Sequence, residues 1–337
     1  MNAPTGDQRW AVEAHGLVKT FGSNRAVDGI DLQIRTGAVY GFLGPNGAGK
    51  TTTIRMLATL LRPDAGTATV FGRDVAREPE AVRSLIGVTG QYASVDESLS
   101  ATENLVLFSR LHGLSRRDAR RTSATLLDEF GLAEAAARPL KNFSGGMRRR
   151  LDLAASLISR PPLIFLDEPT TGLDPRTRLQ MWDTIRRLVA AGSTVLLTTQ
   201  YLDEADQLAE RIAVIDRGVL VAEGTGADLK ASVGTARIQL DLVDDSDEPE
   251  ALRIARSVLG VEAVRTPDGH LTAPVTTADS AGDVLVALRS AGIALRGVTV
   301  QQPTLDEVFL TLTGHAPAGE DATAAESENP ALEKVHA

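Results

Sequence analysis

The glycine-rich segment at residues 44–51 is the feature that most limits how this chain can fold. Its sequence, Gly-Pro-Asn-Gly-Ala-Gly-Lys-Thr, matches the pattern GxxxxGK[ST], follows the apolar run 39–43 and precedes a helix-like stretch at 52–61. Glycines let backbone amides approach an anion closely, so we predict a loop in which Lys50 reaches nucleotide phosphates and Thr51 binds magnesium. The predicted loop residues are Gly44, Pro45, Asn46, Gly47, Ala48, Gly49, Lys50, Thr51 and Thr52.

Two further apolar runs, 163–166 and 194–198, indicate buried strands with helical sequence between them. Strands that alternate with helices are typical of a parallel α/β sheet. Residues 102–138 have a helical pattern, in which Ser115 and Asp118 indicate a capping box, and residues 211–224 have the pattern of a hairpin. The expected fold class is α/β, with a mostly parallel sheet and a helical subdomain at about residues 92–160.

Two acids, Asp167 and Glu168, follow the apolar strand at 163–166. A single acid there would be explained by solvation of the strand end, but a pair downstream of a phosphate-binding loop favours a functional role. In this interpretation Asp167 binds magnesium, and the Glu168 carboxylate deprotonates the water that attacks the γ-phosphorus.

The segment Ser144-Gly145-Gly146 opens a predicted helix that runs to residue 158. A hydroxyl and two glycine amides at a helix N-terminus suit an anion, although alone they would be taken as an ordinary helix cap. A chain needs only one such site for its own nucleotide, so the second one requires an explanation.

In the order of its motifs the sequence resembles the ATPase subunits of ABC transporters, over about residues 9–230. In that family two ATPase domains pair head to tail, and the signature serine and glycines of one subunit close over the ATP of the other. The resemblance therefore implies a P-loop NTPase core within residues 1–232, with ATP and Mg²⁺ as ligands. Since the chain has a single set of motifs, it is expected to work as a homodimer or beside a homologous subunit. The motifs that carry the resemblance are the phosphate loop, Gln91, Ser144-Gly145-Gly146, Asp167-Glu168 and Gly172-Leu173-Asp174.

The same resemblance assigns roles to three other residues. Gln91 matches the glutamine that touches magnesium and water and senses the membrane partner. Phe21 matches the aromatic residue that stacks on adenine, and Asp174 matches the acid that communicates across the dimer interface. Without the resemblance, Gln91 would be interpreted as a surface residue and Phe21 as a core residue.

Two positions depart from the family pattern. Met147 stands where the signature usually ends in glutamine, but its serine and glycines are intact, so closure over ATP is expected to be preserved. Gln200 stands where a histidine usually follows the fourth strand. A glutamine amide can donate a hydrogen bond to the γ-phosphate but carries no charge, so Gln200 is expected to assist catalysis and the turnover rate stays open.

The chain changes character after Leu229. Segments in the order strand, helix, two strands, helix, strand predict a small α+β ferredoxin-like domain at residues 235–314, with a regulatory or assembly role. A last helix is expected to pack Leu305, Val308, Phe309 and Leu312 inward. Residues 315–337 are acidic and poor in large apolar side chains, which is typical of a disordered tail.

Residues 200–209, the C-terminal domain and Leu-Asp-Glu-Val-Phe-Leu at 305–310 together resemble the daunorubicin-resistance ATP-binding subunits. These are drug exporters whose membrane-spanning half is a separate polypeptide. The resemblance implies a peripheral protein at the cytoplasmic face of the plasma membrane that powers efflux through a permease. A lipid, glycan or ion cargo stays open as an alternative. A soluble ABC protein acting on ribosomes or DNA is disfavoured, because the chain has a single cassette and no long coiled coil.

Composition excludes several other classes of protein. The chain has 35 basic and 44 acidic residues, a net charge of −9, which is the opposite of what a nucleic-acid-binding protein needs. It has no cysteine, and its five histidines lack metal-ligand spacing, so no zinc site is expected. No apolar run is long enough to span a membrane. The arginines at 116, 117, 120 and 121 are expected to form a solvated helix face, with contact to lipid headgroups as the alternative. The arginines at 148–150 are expected to serve docking or solubility.

Overall fold

Strands and helices alternate along the first two thirds of the chain, as the sequence predicts. The computed structural model describes residues 9–90, 95–266, 268–275 and 277–314. The chain forms two compact units, and the division along the sequence falls between Gly226 and Ala227. The strands of the first unit are β1 (Trp10–Phe21), β2 (Asn24–Arg35), β3 (Val39–Leu43), β4 (Ala65–Val70), β5 (Arg73–Asp74), β6 (Ile86–Thr89), β7 (Leu163–Asp167), β8 (Thr194–Thr199), β9 (Arg211–Asp216) and β10 (Val219–Gly224). Its helices are α1 (Lys50–Leu57), α2 (Pro79–Arg83), α3 (Ala101–Leu111), α4 (Arg116–Glu129), α5 (Gly145–Ser156), α6 (Pro175–Ala190) and α7 (Leu202–Leu208).

A six-stranded sheet in the order β10-β9-β3-β8-β7-β6 forms the centre of this unit. All its pairs are parallel except the predicted hairpin of β9 and β10. Every residue of β3, β7 and β8 is buried, as expected for parallel strands covered on both faces. Successive residues of β7 enter different cores, Phe165 on one face and Ile164 on the other. The predicted mostly parallel α/β sheet is confirmed.

A second sheet, antiparallel and in the order β2-β1-β4-β5, is not predicted by the sequence patterns. Leu17 and Ile30 of this sheet pack with Ile54 of α1 and Phe165 of β7 in one core. The pairing of β1 with β2 contains several register shifts. Residues 30–35 of β2 nevertheless alternate between buried apolar and exposed polar side chains, which is a strand signal that the sequence reasoning missed. This sheet carries Phe21 at the end of β1.

Helices α3, α4 and α5 form the helical subdomain expected between the earlier and later strands. Ser115 caps α4 by accepting a 3.1 Å hydrogen bond from the Asp118 amide, as the sequence predicts. Leu105 of α3 and Leu151 of α5 share a core with Ile164 of β7. The subdomain is thereby packed directly onto the central sheet.

The second unit contains a four-stranded antiparallel sheet in the order β12-β13-β11-β14, so the strands of its two βαβ halves interleave. Ile238 and Leu240 of β11 pack with Ala251 of α9 and Val284 of α10. This arrangement agrees with the predicted ferredoxin-like domain. The strands are β11 (Arg237–Leu242), β12 (Val264–Arg265), β13 (Leu271–Pro274) and β14 (Leu295–Gln301), and the helices are α8 (Gly226–Val233), α9 (Glu248–Leu259), α10 (Ala278–Ser290) and α11 (Leu305–Thr313).

The structural division lies a few residues before the predicted end of the first domain, because α8 groups with the second unit. The functional limits 1–232 and 235–314 therefore stay a proposal. The predicted tail at 315–337 lies outside the described residues. Among the helices of the described segments, none combines the length and the apolar character needed to cross a bilayer.

Helix α11 has one buried and one exposed face. Leu305, Val308 and Phe309 are buried, whereas Leu310 is 52% exposed. Leu312 is 36% exposed and so does not point inward as predicted, because it lies in the last turn before the C-cap Gly314. The burial of Phe309 makes it the main apolar contribution of this helix to stability.

Replacing Phe309 with alanine is expected to lower the free energy of unfolding by about 3–5 kcal/mol, because a fully buried phenyl group is lost. Leu310→Ala is the matched control on the exposed face and should change stability by about 0.5 kcal/mol or less. Urea denaturation of the full chain measures both. Equal effects of the two substitutions would contradict the assigned faces of α11.

Candidate active site

The predicted phosphate loop connects β3 to α1 at the carboxyl end of the central strands. Gly49 has φ +104° at the N-cap of α1, and a Cβ there would lie 2.4 Å from the Ala26 carbonyl oxygen. A Cβ on Gly44 would lie 2.2 Å from the carbonyl oxygen of Ile215. Both positions therefore require glycine, because a side chain would collide with neighbouring backbone.

Lys50 lies at the centre of this loop and is buried. Its Nζ donates hydrogen bonds to the carbonyl oxygens of Gly44, at 2.7 Å, and Pro45, at 3.1 Å, and is 3.7 Å from Glu168 Oε1. Burial lowers the pKa of Lys50 from its ordinary value, while the Glu168 and Asp167 carboxylates oppose that shift. The ammonium is held in the loop by groups that favour its charged form.

Asp167 ends β7 and is buried. Its Oδ1 accepts hydrogen bonds from the hydroxyls of Thr51, at 3.0 Å, and Thr198, at 2.6 Å. A carboxylate beside a hydroxyl is a pair of hard oxygen ligands, which fits Mg²⁺ bound through few protein groups together with phosphate oxygens. No cluster of three or more His, Cys, Asp or Glu with metal-binding geometry occurs among the described residues.

Glu168 has a backbone φ of +49°, in the left-handed region that non-glycine residues rarely adopt. Its amide donates to the Thr198 carbonyl oxygen, at 3.2 Å, and hydroxyl, at 3.0 Å. Its Oε2 accepts a hydrogen bond of 3.3 Å from the Thr171 hydroxyl. These contacts direct the Glu168 side chain into the cleft above the phosphate loop.

That cleft has a volume of about 480 Å³. Phe21 forms part of its wall with a ring that is 50% exposed, so it is available to stack on a planar base. Lys19 lies behind Phe21, with Nζ 5.8 Å from the ring centroid, and is fixed by a 2.7 Å ion pair with Asp64. The lining residues are Phe21, Asn24, Ala26, Asn46, Gly47, Ala48, Gly49, Lys50, Thr51, Thr52 and Glu168.

The signature residues lie at a different place. Ser144 caps α5 by accepting a 3.3 Å hydrogen bond from the Met147 amide. A Cβ on Gly146 would lie 2.3 Å from Thr177 Cγ2, and the Thr177 hydroxyl donates a 2.6 Å hydrogen bond to Asp174. Hydrogen bonds from Thr177 lower the pKa of Asp174. The structure therefore brings Gly146 and Asp174 together through Thr177, but neither they nor Ser144 and Gly145 line the cleft of their own chain.

Of the two glutamines that were predicted to be catalytic, the structure describes Gln200 and not Gln91. Gln91 lies outside the described residues. Gln200 directly follows β8, and its buried Oε1 has no hydrogen-bond partner among the described residues. This oxygen is therefore not hydrogen-bonded by the side chains that hold Asp167 and Glu168.

Two family models match the chain. One, described as ABC transporter, covers residues 27–171, and the other, described as the C-terminal domain of DrrA1-3-like ATP-binding proteins, covers residues 224–313. The chain is 57% identical to the daunorubicin/doxorubicin resistance ATP-binding protein DrrA of Streptomyces peucetius, over 95% of this chain and 98% of that protein. The chain belongs to this family of ABC transporter ATP-binding proteins.

Two further similarities agree with that assignment. The Nod factor export ATP-binding protein I of Sinorhizobium fredii is 38% identical over 90% of this chain and 86% of that protein. A solved ATP-binding subunit of an ABC transporter has a TM-score of 0.59 and 27% identity over 66% of this chain and 92% of its own. The predicted family and fold are confirmed, and the chain is an ABC-type ATPase.

Three residues of this ABC ATPase were missed as parts of the site by sequence reasoning. Thr198, which supports both Asp167 and Glu168, carries one usable signal: it is a polar residue near the end of an apolar strand. Arg149 is half-buried and donates to backbone carbonyls around Glu168, so the expected role in solubility or docking is wrong for it. Glu204 lies on α7 and is completely buried. Glu204 lies within the segment 200–209 that carries the family resemblance, but that resemblance assigned it no role, and nothing in the sequence distinguishes Arg149 from a surface charge.

Glu204 connects the segment after Glu168 to the helix after Gln200. Its Oε1 accepts hydrogen bonds from the Thr170 hydroxyl, at 2.8 Å, and from Trp182 Nε1, at 3.3 Å. Burial raises the pKa of Glu204 above its ordinary value, although these hydrogen bonds oppose the shift. The folded protein therefore retains this proton to a higher pH than the unfolded chain does.

The stability contributed by Glu204 is full below its unfolded pKa and is lost as the pH rises through its folded pKa. Glu204→Gln keeps an oxygen that accepts both hydrogen bonds and removes the titration. The variant should therefore gain stability relative to the parent as the pH is raised from about 4.5 to 8. Thermal unfolding across this range measures the difference, with the exposed Glu210→Gln as control. A difference that is constant with pH would contradict the buried, proton-retaining state.

Proposed function

We propose that this ABC ATPase powers drug efflux through a separate membrane permease, as a homodimer that binds ATP and Mg²⁺. The observation that carries the proposal is the convergence of Lys50, Thr51, Asp167 and Glu168 at one cleft with Phe21 on its wall. The similarity to a daunorubicin/doxorubicin resistance protein over almost the whole chain supports the cargo class.

In the proposed reaction, Phe21 stacks on the adenine and the loop amides hold the phosphates, with Lys50 Nζ against the β- and γ-phosphate oxygens. Thr51 and Asp167 would hold magnesium, with Gln91 as a third ligand, and the ion would neutralise charge on the phosphates. The Glu168 carboxylate accepts a proton from the water that attacks the γ-phosphorus, and the bond to the β-phosphate oxygen breaks. Gln200 donates a hydrogen bond to the γ-phosphate.

The placement of the signature supports the dimer. Ser144, Gly145 and Gly146 open α5 away from the cleft of their own chain, where they can serve a second copy. In a head-to-tail pair they would close over the partner's ATP, and Asp174 would lie at the interface. Closure would act on the permease, so in this proposal the chain is a peripheral subunit at the cytoplasmic face of the membrane.

A lipid or glycan exporter is the alternative within the same mechanism. It is favoured by the similarity to a Nod factor export protein, which is weaker than the similarity to the drug-resistance protein. Resistance of cells to anthracyclines, measured with and without this chain and its permease, separates the two cargo classes.

Replacing Glu168 with glutamine is expected to leave ATP binding intact and to reduce the rate of hydrolysis by roughly 10²-fold or more, because the amide cannot accept the proton. The exposed Glu129→Gln is the control and should keep the parent rate. Phosphate release and the affinity for an ATP analogue measure the two quantities. A parental hydrolysis rate in the glutamine variant would refute the role of Glu168.

We also propose that residues 235–314 serve regulation or assembly and not nucleotide chemistry, because every residue that lines the cleft precedes Pro169. A chain ending at residue 232 should bind ATP with an affinity within about twofold of the parent, but should fail to co-purify with the permease and to confer resistance. Loss of ATP binding, or retention of the complex, would contradict this division.

A further inference from the structure

Three consecutive arginines on α5 hold three different parts of the first unit. Successive helical residues point about 100° apart, so neighbours on one helix reach different surroundings. Arg148 pairs with Glu97 at 2.8 Å, and Arg150 donates a 3.1 Å hydrogen bond to the Phe130 carbonyl oxygen at the end of α4. Arg149, between them, points toward the ends of β6 and β7.

The Arg149 guanidinium donates to four backbone carbonyl oxygens. Nη2 donates to Asp167, at 2.7 Å, and to Glu168, at 3.0 Å, while Nε donates to Pro169 at 3.2 Å. Nη1 donates to Gly90, the residue that follows β6. The Arg149 side chain therefore binds three successive carbonyl groups at the end of β7 and a fourth directly after β6, the neighbouring strand.

The charge of Arg149 suits this position. Burial lowers the pKa of Arg149, but the carboxylates of Asp152, Asp167, Glu168 and Glu204 raise it, and a guanidinium stays protonated in proteins. Only a planar fork with several donors can serve carbonyl groups in different directions at once. A lysine ammonium, as a point charge on a flexible stem, cannot reproduce that geometry.

The four hydrogen bonds of Arg149 matter because three of them bind the backbone at and beside Glu168, which has an unusual conformation. Glu168 has φ +49°, and the carbonyl groups bound by Arg149 belong to Glu168 itself and to the residues on either side of it. Fixing these peptide planes fixes the direction in which the Glu168 side chain leaves the backbone. A residue in a sparsely populated conformation persists only where its surroundings determine it.

We propose that Arg149 is a positioning residue that sets the orientation of Glu168 for hydrolysis, and that it thereby ties this residue to the helix that begins at Ser144. The inference rests on the proposed function, in which Glu168 is the base. Arg149 does not line the cleft, so its replacement is expected to affect the chemical step and not the affinity for nucleotide.

The test compares Arg149→Met, Arg149→Lys and the control Arg150→Met in the full chain. A misplacement of about 1 Å in a reacting group costs roughly 10²-fold in rate, so Arg149→Met should lower kcat by about that factor. Arg149→Lys should recover part of the loss, whereas Arg150→Met, which removes a contact to α4 alone, should keep kcat within about threefold. The Kd for a fluorescent ATP analogue should stay within about twofold of the parent in all three.

A kcat for Arg149→Met within threefold of the parent would overturn the inference, as would equal losses in the two methionine variants. A fall in the number of binding sites per chain, with unchanged kcat per site, would show a structural role only and would also overturn it. If Arg149→Met does not fold, Arg149→Lys decides, since a parental kcat in that variant shows that the fork is not needed. Parental hydrolysis by Glu168→Gln would instead refute the proposed role of Glu168 as the base, on which this inference rests.

Discussion

The hydrogen bonds that converge on Asp167 hold the nucleotide-binding unit together at the edge where its chemistry lies. The carboxylate ends β7 and accepts from Thr51 on α1 and Thr198 on β8, so it connects the phosphate loop to two central strands. A buried carboxylate is costly unless hydrogen bonds compensate it, so these elements must keep their relative positions. The same oxygens that satisfy Asp167 in the fold are the ligands that suit magnesium.

Glu168 follows directly and depends on this arrangement. Its amide is bound by Thr198, its peptide groups are bound by Arg149, and its carboxylate lies 3.7 Å from Lys50 Nζ. Two cations, the buried Lys50 and the half-buried Arg149, thus lie near the two adjacent acids, and each charge lowers the cost of burying the others. The left-handed backbone conformation of Glu168 therefore lies at the position that the proposed mechanism assigns to the base.

Much of this architecture follows from local sequence. Strands β3, β7 and β8 are buried on both faces, so they appear in the sequence as continuous apolar segments. The loop glycines at 44 and 49 are required because a Cβ would collide with backbone, and this requirement is visible in the sequence as a glycine pattern. The sheet that carries Phe21 is different. Burial along β1 is irregular and its pairing with β2 has register shifts, but residues 30–35 of β2 alternate strictly between buried apolar and exposed polar side chains, a period-2 signal that the sequence reasoning missed.

The supporting residues of the site are hidden from sequence for another reason. Arg149 and Glu204 acquire their roles through contacts with residues 18 to 59 and 22 to 34 positions away, respectively. Before folding, an arginine in a run of three on a helix resembles any solvated charge. Only the rotation of the helix against the sheet determines which of the three points at the catalytic segment.

The position of the signature explains why one cassette is not a complete catalyst in the proposed mechanism. Gly146 packs against Thr177, and Thr177 is held by Asp174, so the N-termini of α5 and α6 form one connected surface outside the cleft of their own chain. Two copies related by a twofold axis make every contact between them twice. If this surface of one copy covers the partner's cleft, the same surface of the partner covers the cleft of the first copy. Since α5 is also fastened by Arg149 to the backbone of Glu168, the helix that would cover the partner's ATP is fixed to the base that acts on its own. The two composite sites of the dimer are then mechanically joined through each subunit's α5.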